Sequence, residues 1–108
     1  MTKGSIISVV LPGDLGKPRP ALIMQSEILS DVTSSVIILP FTSTIRPTPL
    51  LRITVLPSAS NGLRVPSQVM IDRITNVKRD KIGGVIGQME SETLLEVTRR
   101  LLSLLGVN

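Results

Sequence analysis

The sequence predicts a mainly β domain: a small, strongly bent β-barrel closed by one C-terminal α-helix. Its 108 residues suit a single domain, which we place over residues 1–108. Short apolar and β-branched runs alternate with turn-rich segments over the first 88 residues, as expected for short strands. The apolar spacing then changes to a helical period, and short strands followed by one late helix are typical of such barrels.

Six runs predict the strands of this barrel. They are Ser5–Leu11, Pro20–Gln25, Ser35–Phe41, Leu51–Leu56, Gln68–Ile74 and Gly84–Met89. Pro40 has no N–H to donate to a ladder, so we expect the third strand to lie at a sheet edge or to bend at that residue. Asn61 and Gly62 predict a tight turn before the fifth strand.

The last segment predicts a helix with one apolar stripe. The stripe contains Leu94, Val97, Thr98, Leu101, Leu104 and Leu105. Ser91 is a candidate cap at its start, and Gly106 is a candidate stop at its end. Acidic residues fill the first turn and arginines come later, which suits the helix dipole. We expect the stripe to pack on the sheet.

Composition excludes several classes of chemistry. The chain has no histidine and no cysteine, so Ser-His-Asp catalysis, histidine metal sites and thiol chemistry are excluded. Carboxylates are scattered and no nucleotide-binding fingerprint is present, so we expect neither a metal nor a cofactor. The absence of cysteine makes the cytoplasm the simplest compartment. We see no targeting segment and no apolar run of the ~18 residues that a membrane span requires.

Positive charge is concentrated in the body of the chain. The formal net charge is +4, and residues 1–88 carry ten Lys/Arg against five Asp/Glu. This excess favours an anionic partner such as nucleic acid. The chain has one aromatic residue, Phe41, so stacking platforms for bases are missing. RNA binding would therefore depend on phosphate contacts and a shaped groove. The high apolar content also predicts a surface that meets a partner or a second copy.

Arg19 is the first candidate functional residue. It lies between Pro18 and Pro20, and the prolines restrict the backbone to extended conformations before folding. Less entropy is then lost in aiming the guanidinium, whose rigid fork of donors suits phosphate oxygens. The alternative reading is a solvated charge in a loop.

Polar residues at two other places are also candidates. Thr42, Ser43 and Thr44 follow the apolar third strand, where their hydroxyls could bind phosphate or cap the loop. Asp72 lies among apolar residues of the fifth predicted strand. It is either a paired polar residue, with Arg73 or Lys78 as partner, or a group that points into a site.

The order of several motifs resembles that of one known family. "KGSIISV", "KPRPALIMQ", "ILPFTST", "SQVMIDRITNVKRDKI", "IGGVIGQM" and "LLSLLG" follow one another as in the MazF/PemK type II toxin endoribonucleases. The resemblance implies an SH3-like β-barrel, a homodimer and a cognate antitoxin protein as partner. It also implies metal-independent, sequence-specific cleavage of single-stranded RNA. The 2′-hydroxyl of the substrate would attack, leaving 2′,3′-cyclic phosphate and 5′-hydroxyl ends.

The resemblance also implies roles for individual residues. The catalytic arginine corresponds to Arg19 and the catalytic threonine to Thr42. We assign the following residues to substrate binding: Lys17, Ser43, Thr44, Asp72 and Arg73. The general base stays unassigned, with Asp72 as a candidate.

Two alternatives to an RNA-cleaving toxin remain open from the sequence. One is a CcdB-like toxin of the same barrel type, which is not an enzyme and binds DNA gyrase. The other is a barrel that binds RNA without cutting it.

Overall fold

The structure, a computed structural model, describes residues 1–27 and 32–107 and contains seven strands followed by one α-helix. The strands are β1 (Ser5–Val10), β2 (Pro18–Ile23), β3 (Ser35–Thr42), β4 (Arg52–Val55), β5 (Ser67–Met70), β6 (Thr75–Lys78) and β7 (Ile82–Gln88), and the helix is α1 (Ser91–Leu104). Short 3-10 turns at Ile71–Arg73 and Arg79–Lys81 flank β6. The predicted class, mainly β with a C-terminal helix, is confirmed. Among the described residues, no helix has the length and apolar character needed to cross a membrane.

Within the described residues, all strand pairs are antiparallel, and their order is β4-β5-β3-β2-β1-β7, with β6 also paired to β3. The third strand is therefore central, so the first of the two outcomes expected from Pro40, a position at a sheet edge, is wrong, and a bend at Pro40 stays a prediction. On the side away from β2, β3 pairs with β6 along Ser35–Ile38 and with β5 along Phe41–Thr42. Pro40 lies where the partner changes, so its missing N–H coincides with a gap in the ladder.

The predicted fifth strand, Gln68–Ile74, is wrong in its extent. Strand β5 ends at Met70, and the chain turns through Ile71–Arg73 before it forms β6. This turn moves the chain from the end of β3 back to its start, so that β3 pairs with both strands. Strand β6 was not predicted because its sequence contains one apolar residue, the buried Val77.

Aliphatic residues build the core, as the composition predicts. Two clusters of buried residues form, one around Phe41 and one around Ile7 and Ile38. Val97 and Leu101 of α1 belong to the first cluster, which confirms that the helix packs on the sheet.

The helix ends differ in part from the prediction. Glu90 rather than Ser91 is the N-cap residue, and it makes no side-chain cap hydrogen bond. Gly106 ends the helix as predicted, with φ +81° and its N–H donating to the Ser103 carbonyl. Leu104 and Leu105 are 46% and 59% exposed, so the last turn of the stripe extends beyond the core.

The loop between β4 and β5 joins the two ends of the sheet. The Gln88 N–H of β7 donates to the Ser60 carbonyl at 2.7 Å. Gly62 has φ +70°, and a Cβ there would overlap the Ile86 carbonyl. A Cβ on Gly87 would overlap the Asn61 backbone in the same way. Glycine is therefore required at this crossing, and the loop gives the open sheet its barrel-like shape.

Candidate active site

A cleft of about 930 Å³ lies between three segments of the fold. The loop from β1 to β2 and the start of β2 contribute Asp14 and residues 17–20. The end of β3 contributes residues 41–44, and the β4–β5 loop contributes residues 62–65. A cleft of this size is at the upper end of the ~300–1,000 Å³ that is typical of small-ligand sites.

Arg19 is held in this cleft by two neighbours. Its Nε and Nη2 donate to the two carboxylate oxygens of Asp14, each at 2.7 Å. Its Nη1 donates to the Phe41 carbonyl at 3.2 Å. The remaining N–H groups on Nη1 and Nη2 are left for a ligand, because a guanidinium carries two on each of these nitrogens. Arg19 is therefore an oriented cation with free donors and not a freely solvated charge.

Asp14 was not singled out from the sequence. The Arg19 hydrogen bonds hold the pKa of the Asp14 carboxyl below its usual range, against the opposing effect of burial. The Asp14 side chain is 15% exposed and the Arg19 side chain is 33% exposed, which limits the screening of the ion pair by solvent. One signal for Asp14 was present: an acid in the turn-rich loop that leads to the proline-flanked arginine.

Thr42 lies next to Arg19 at the end of β3. Ala21 of β2 faces Pro40 of β3, and the same register continued by two residues places Arg19 opposite Thr42. The Thr42 Oγ1 accepts the Thr44 N–H at 3.1 Å. No described residue accepts the Thr42 hydroxyl proton, so the side chain caps the turn and keeps its donor. The two roles considered from the sequence, capping the loop and binding a phosphate, are therefore compatible for the Thr42 hydroxyl.

Five of the seven residues singled out for catalysis or substrate binding line the same cleft. They are Lys17, Arg19, Thr42, Ser43 and Thr44. The structure thus brings together the two motifs that lie about twenty residues apart in the chain.

Asp72 and Arg73 lie elsewhere. Both are exposed in the 3-10 turn after β5, and neither lines the cleft. Asp72 forms no ion pair with a described residue, so the proposed pairing with Arg73 or Lys78 is not seen. Any contact that they make with a substrate lies outside the cleft, and their role stays a prediction.

Arg64 is a further cation that the sequence did not distinguish. It lines the cleft from the β4–β5 loop, between Leu63 and Val65. In the sequence it is one of twelve Lys/Arg residues, in a loop without a recognisable motif.

Comparison with known proteins agrees with this fold and identifies a family. Residues 2–105 match the family model described as PemK-like, MazF-like toxin of type II toxin–antitoxin system. A protein of Mycolicibacterium smegmatis named probable endoribonuclease MazF is 37% identical over 108 residues, covering 99% of this chain and 98% of that protein.

Solved structures share the fold over nearly all of the chain. An endoribonuclease from a mycobacterial species, solved in complex with its cognate antitoxin, superposes with a TM-score of 0.84 at 20% identity. This match covers 100% of this chain and 97% of that one. A MazE–MazF structure from Deinococcus radiodurans superposes with a TM-score of 0.82 at 25% identity, covering 100% and 98% of the two chains. The chain therefore belongs to the PemK-like, MazF-like toxins of type II toxin–antitoxin systems.

Proposed function

We propose that the protein is a metal-independent, sequence-specific endoribonuclease that cleaves single-stranded RNA, messenger RNA in particular, as the toxin of its pair. The observation that carries the proposal is the meeting of Arg19 and Thr42 in one cleft, each with unused donors. The relative named as a probable endoribonuclease supports the same activity.

The proposed reaction needs charge stabilisation more than it needs a metal. The 2′-hydroxyl of the substrate attacks the adjacent phosphorus and loses its proton, while the bond from phosphorus to O5′ breaks and O5′ takes up a proton. Negative charge develops on the non-bridging oxygens in the transition state. The free N–H groups of Arg19 and the Thr42 hydroxyl are donors of the kind that stabilise such charge.

The arrangement of the charged residues argues against each of three candidates for the general base. The Arg19 guanidinium has N–H donors and no acceptor site, so it does not suit the role of a base. Both oxygens of Asp14 accept hydrogen bonds from Arg19, and its lowered pKa makes it a weak base. Asp72 lies outside the cleft. We therefore propose that the 2′-hydroxyl proton passes to solvent or to the substrate.

Partners follow from the family. One of the similar structures is an endoribonuclease in complex with its cognate antitoxin, and another is a MazE–MazF structure. We propose that a cognate antitoxin blocks the cleft of this protein with an acidic segment. The cations lining the cleft suit such a segment. The toxin would act in the cytoplasm, where messenger RNA is found.

We also propose a homodimer, because apolar side chains remain uncovered on α1 and on β7. Val85, Leu95, Leu102 and Leu105 are each at least 42% exposed. Where such side chains form one contiguous patch, they are typical of a protein interface. Light scattering at low concentration tests this, and a monomer would contradict it.

The test of the activity is incubation of the pure protein with single-stranded RNA in EDTA. We expect cleavage by the wild-type protein, and cleavage slowed by about 10²–10³-fold in Arg19→Ala or Thr42→Ala, whose folds are checked by circular dichroism. Cleavage that requires added Mg²⁺ would contradict metal independence. Gyrase inhibition with intact RNA would support the CcdB-like alternative, and binding without cutting would support the RNA-binding barrel.

A further inference from the structure

The charged residues that line the cleft differ in whether they form an ion pair. They are Asp14, Lys17, Arg19 and Arg64. Asp14 and Arg19 neutralise one another through their ion pair. Lys17 and Arg64 form no ion pair with any described residue. The net positive charge of the cleft therefore comes from Lys17 and Arg64, and Arg19 contributes oriented donors with little net charge.

The loop that carries Arg64 is fixed from within by Asn61, whose side chain is fully buried. The Asn61 Oδ1 accepts the N–H groups of Ser58 and Leu63, each at 3.0 Å. Its Nδ2 donates to the Leu56 carbonyl at 2.9 Å and to Glu90 at 3.2 Å. A buried amide with all of these bonds satisfied holds the loop in one conformation.

The same loop is attached to two other elements. Glu90, at the start of α1, accepts hydrogen bonds from the hydroxyls of Ser58 and Ser60, each at 2.8 Å. Gly62 packs against the Ile86 carbonyl of β7, and Leu63 is 6% exposed in the first core cluster. The backbone at Arg64 is thus preorganised, although its side chain is exposed.

Lys17 and Arg64 lie on different walls of the cleft. Lys17 belongs to the segment that leads into β2, and Arg64 belongs to the β4–β5 loop. Arg19 and Thr42 lie in the same cleft as both. An RNA strand has a phosphate at every nucleotide, so a strand bound with one phosphate at Arg19 presents neighbouring phosphates to the walls.

We propose that Arg64, with Lys17, holds the RNA backbone at phosphates next to the cleaved one, while Arg19 and Thr42 act on the cleaved phosphate itself. This inference rests on the proposed function and assigns to Arg64 a binding role that is separate from the chemistry. Contacts that neutralise phosphates release counterions, so each should contribute about 0.7 to the log–log salt slope for a single strand.

The test separates binding from cleavage. The probe for binding is a short single strand of mixed sequence with 2′-fluoro riboses, which has the charge of RNA but no attacking hydroxyl. Its Kd is measured by fluorescence anisotropy over a range of NaCl concentrations, and kcat is measured on saturating unmodified RNA. The variants are Arg64→Gln and the control Lys78→Gln, which also removes one positive charge. Lys78 is exposed on β6, outside the cleft, and forms no ion pair with a described residue.

We expect Arg64→Gln to weaken binding of the probe by about tenfold at low salt, to reduce the salt slope by about 0.7, and to leave kcat within about twofold. Lys78→Gln should match the wild type. Unchanged binding by Arg64→Gln, or a loss in kcat at saturation, would overturn the inference while wild-type cleavage keeps the proposed function intact. Failure of the wild-type protein to bind and cut RNA would instead overturn both.

Discussion

Asp14 and Arg19 are joined by two hydrogen bonds of 2.7 Å across the loop that leads into β2. A third bond connects the same guanidinium to the Phe41 carbonyl, one residue before Thr42. The Asp14 carboxylate therefore fixes the plane of the Arg19 guanidinium. The bond to the Phe41 carbonyl, at the end of β3, fixes the position of that guanidinium relative to the Thr42 hydroxyl. This arrangement would give a chain without histidine a preorganised site for the phosphate that we propose it binds.

Replacing Arg19 by lysine tests whether geometry or charge matters. Arg19→Lys keeps the charge but loses the planar fork, so the two-point contact with Asp14 and the fixed direction of the free donors are both lost. We expect cleavage to slow by about 10²–10³-fold, the usual effect of losing a transition-state donor. Single-turnover kinetics on RNA measure this, with thermal unfolding as the control for folding. A lysine variant with wild-type rate would show that any cation is sufficient.

Thr42 can be tested with a matched pair of substitutions. Thr42→Val keeps the shape but removes the hydroxyl, and Thr42→Ser keeps the hydroxyl. We expect Val to reduce kcat by about 10²-fold and Ser to retain most of the activity. Equal losses in both variants would mean that packing, and not the donor, is required at this position.

Asp14 is expected to act on the rate through Arg19. Asp14→Asn should slow cleavage by about 10–10²-fold because the fork is misplaced, and it should strengthen binding of the 2′-fluoro RNA because a charge that opposes phosphate is removed. The salt slope of binding should become steeper by about 0.7 as Arg19 gains net charge. Parallel measurement of kcat and Kd checks the opposite signs. Weaker binding of the probe would contradict this assignment.

The lowered pKa of Glu90 predicts a loss of stability in acid. Hydrogen bonds from Ser60, Ser58 and Asn61 favour the ionised carboxylate in the folded state. The stabilisation is complete above the ordinary value of 4.5 and is lost as pH falls through the lower folded value. Urea unfolding between neutral and acid pH should therefore show less acid destabilisation for Glu90→Gln than for the wild type.

Asp14 has a lowered pKa as well, so part of the loss of folding stability at acid pH persists in Glu90→Gln. The double variant with Asp14→Asn is the control that removes both contributions. Equal pH dependence in wild type and Glu90→Gln would contradict the role of Glu90.

Because the β4–β5 loop crosses closely over β7, we expect substitution of Gly62 to destabilise the fold. Gly62→Ala places a Cβ against the Ile86 carbonyl in a backbone with φ +70°. Gly106→Ala is the control, because its φ is +81° and nothing lies within contact distance of the added carbon. Both substitutions carry the left-handed backbone penalty of about 1–2 kcal/mol. We expect a clearly larger loss for Gly62→Ala in denaturant unfolding, and equal losses would contradict the close approach.

The sequence predicts the site better than it predicts the strand pairing around it. The proline-flanked Arg19 and the hydroxyls after Phe41 are local signals, and the structure places them in the same cleft. The Asp14 contact depends on how the preceding loop folds, including the positive φ of Leu15, which no local pattern indicates. Arg64 enters the cleft through the loop crossing to β7, which is a tertiary feature.

The errors in the predicted strands also arise from tertiary contacts that the local sequence does not indicate. Strand β6 forms because the first half of β3 needs a partner on its second side, and its own sequence is mostly polar. Strand β7 starts at Ile82, two residues before its predicted start, because pairing with β1 extends through its glycines with register shifts. Local propensity does not report such pairing, since strand formation depends on the neighbouring strands.

The most direct test of the central claim is the chemistry of the RNA ends. RNA cut by the wild-type protein in EDTA is mapped, and the same RNA is then made with a single 2′-deoxyribose at the mapped position. We predict 2′,3′-cyclic phosphate and 5′-hydroxyl ends on the first RNA, and no cleavage at that position in the second. Ends with a 5′-phosphate, or cleavage that persists beside the 2′-deoxyribose, would contradict attack by the substrate's own hydroxyl at the Arg19–Thr42 site.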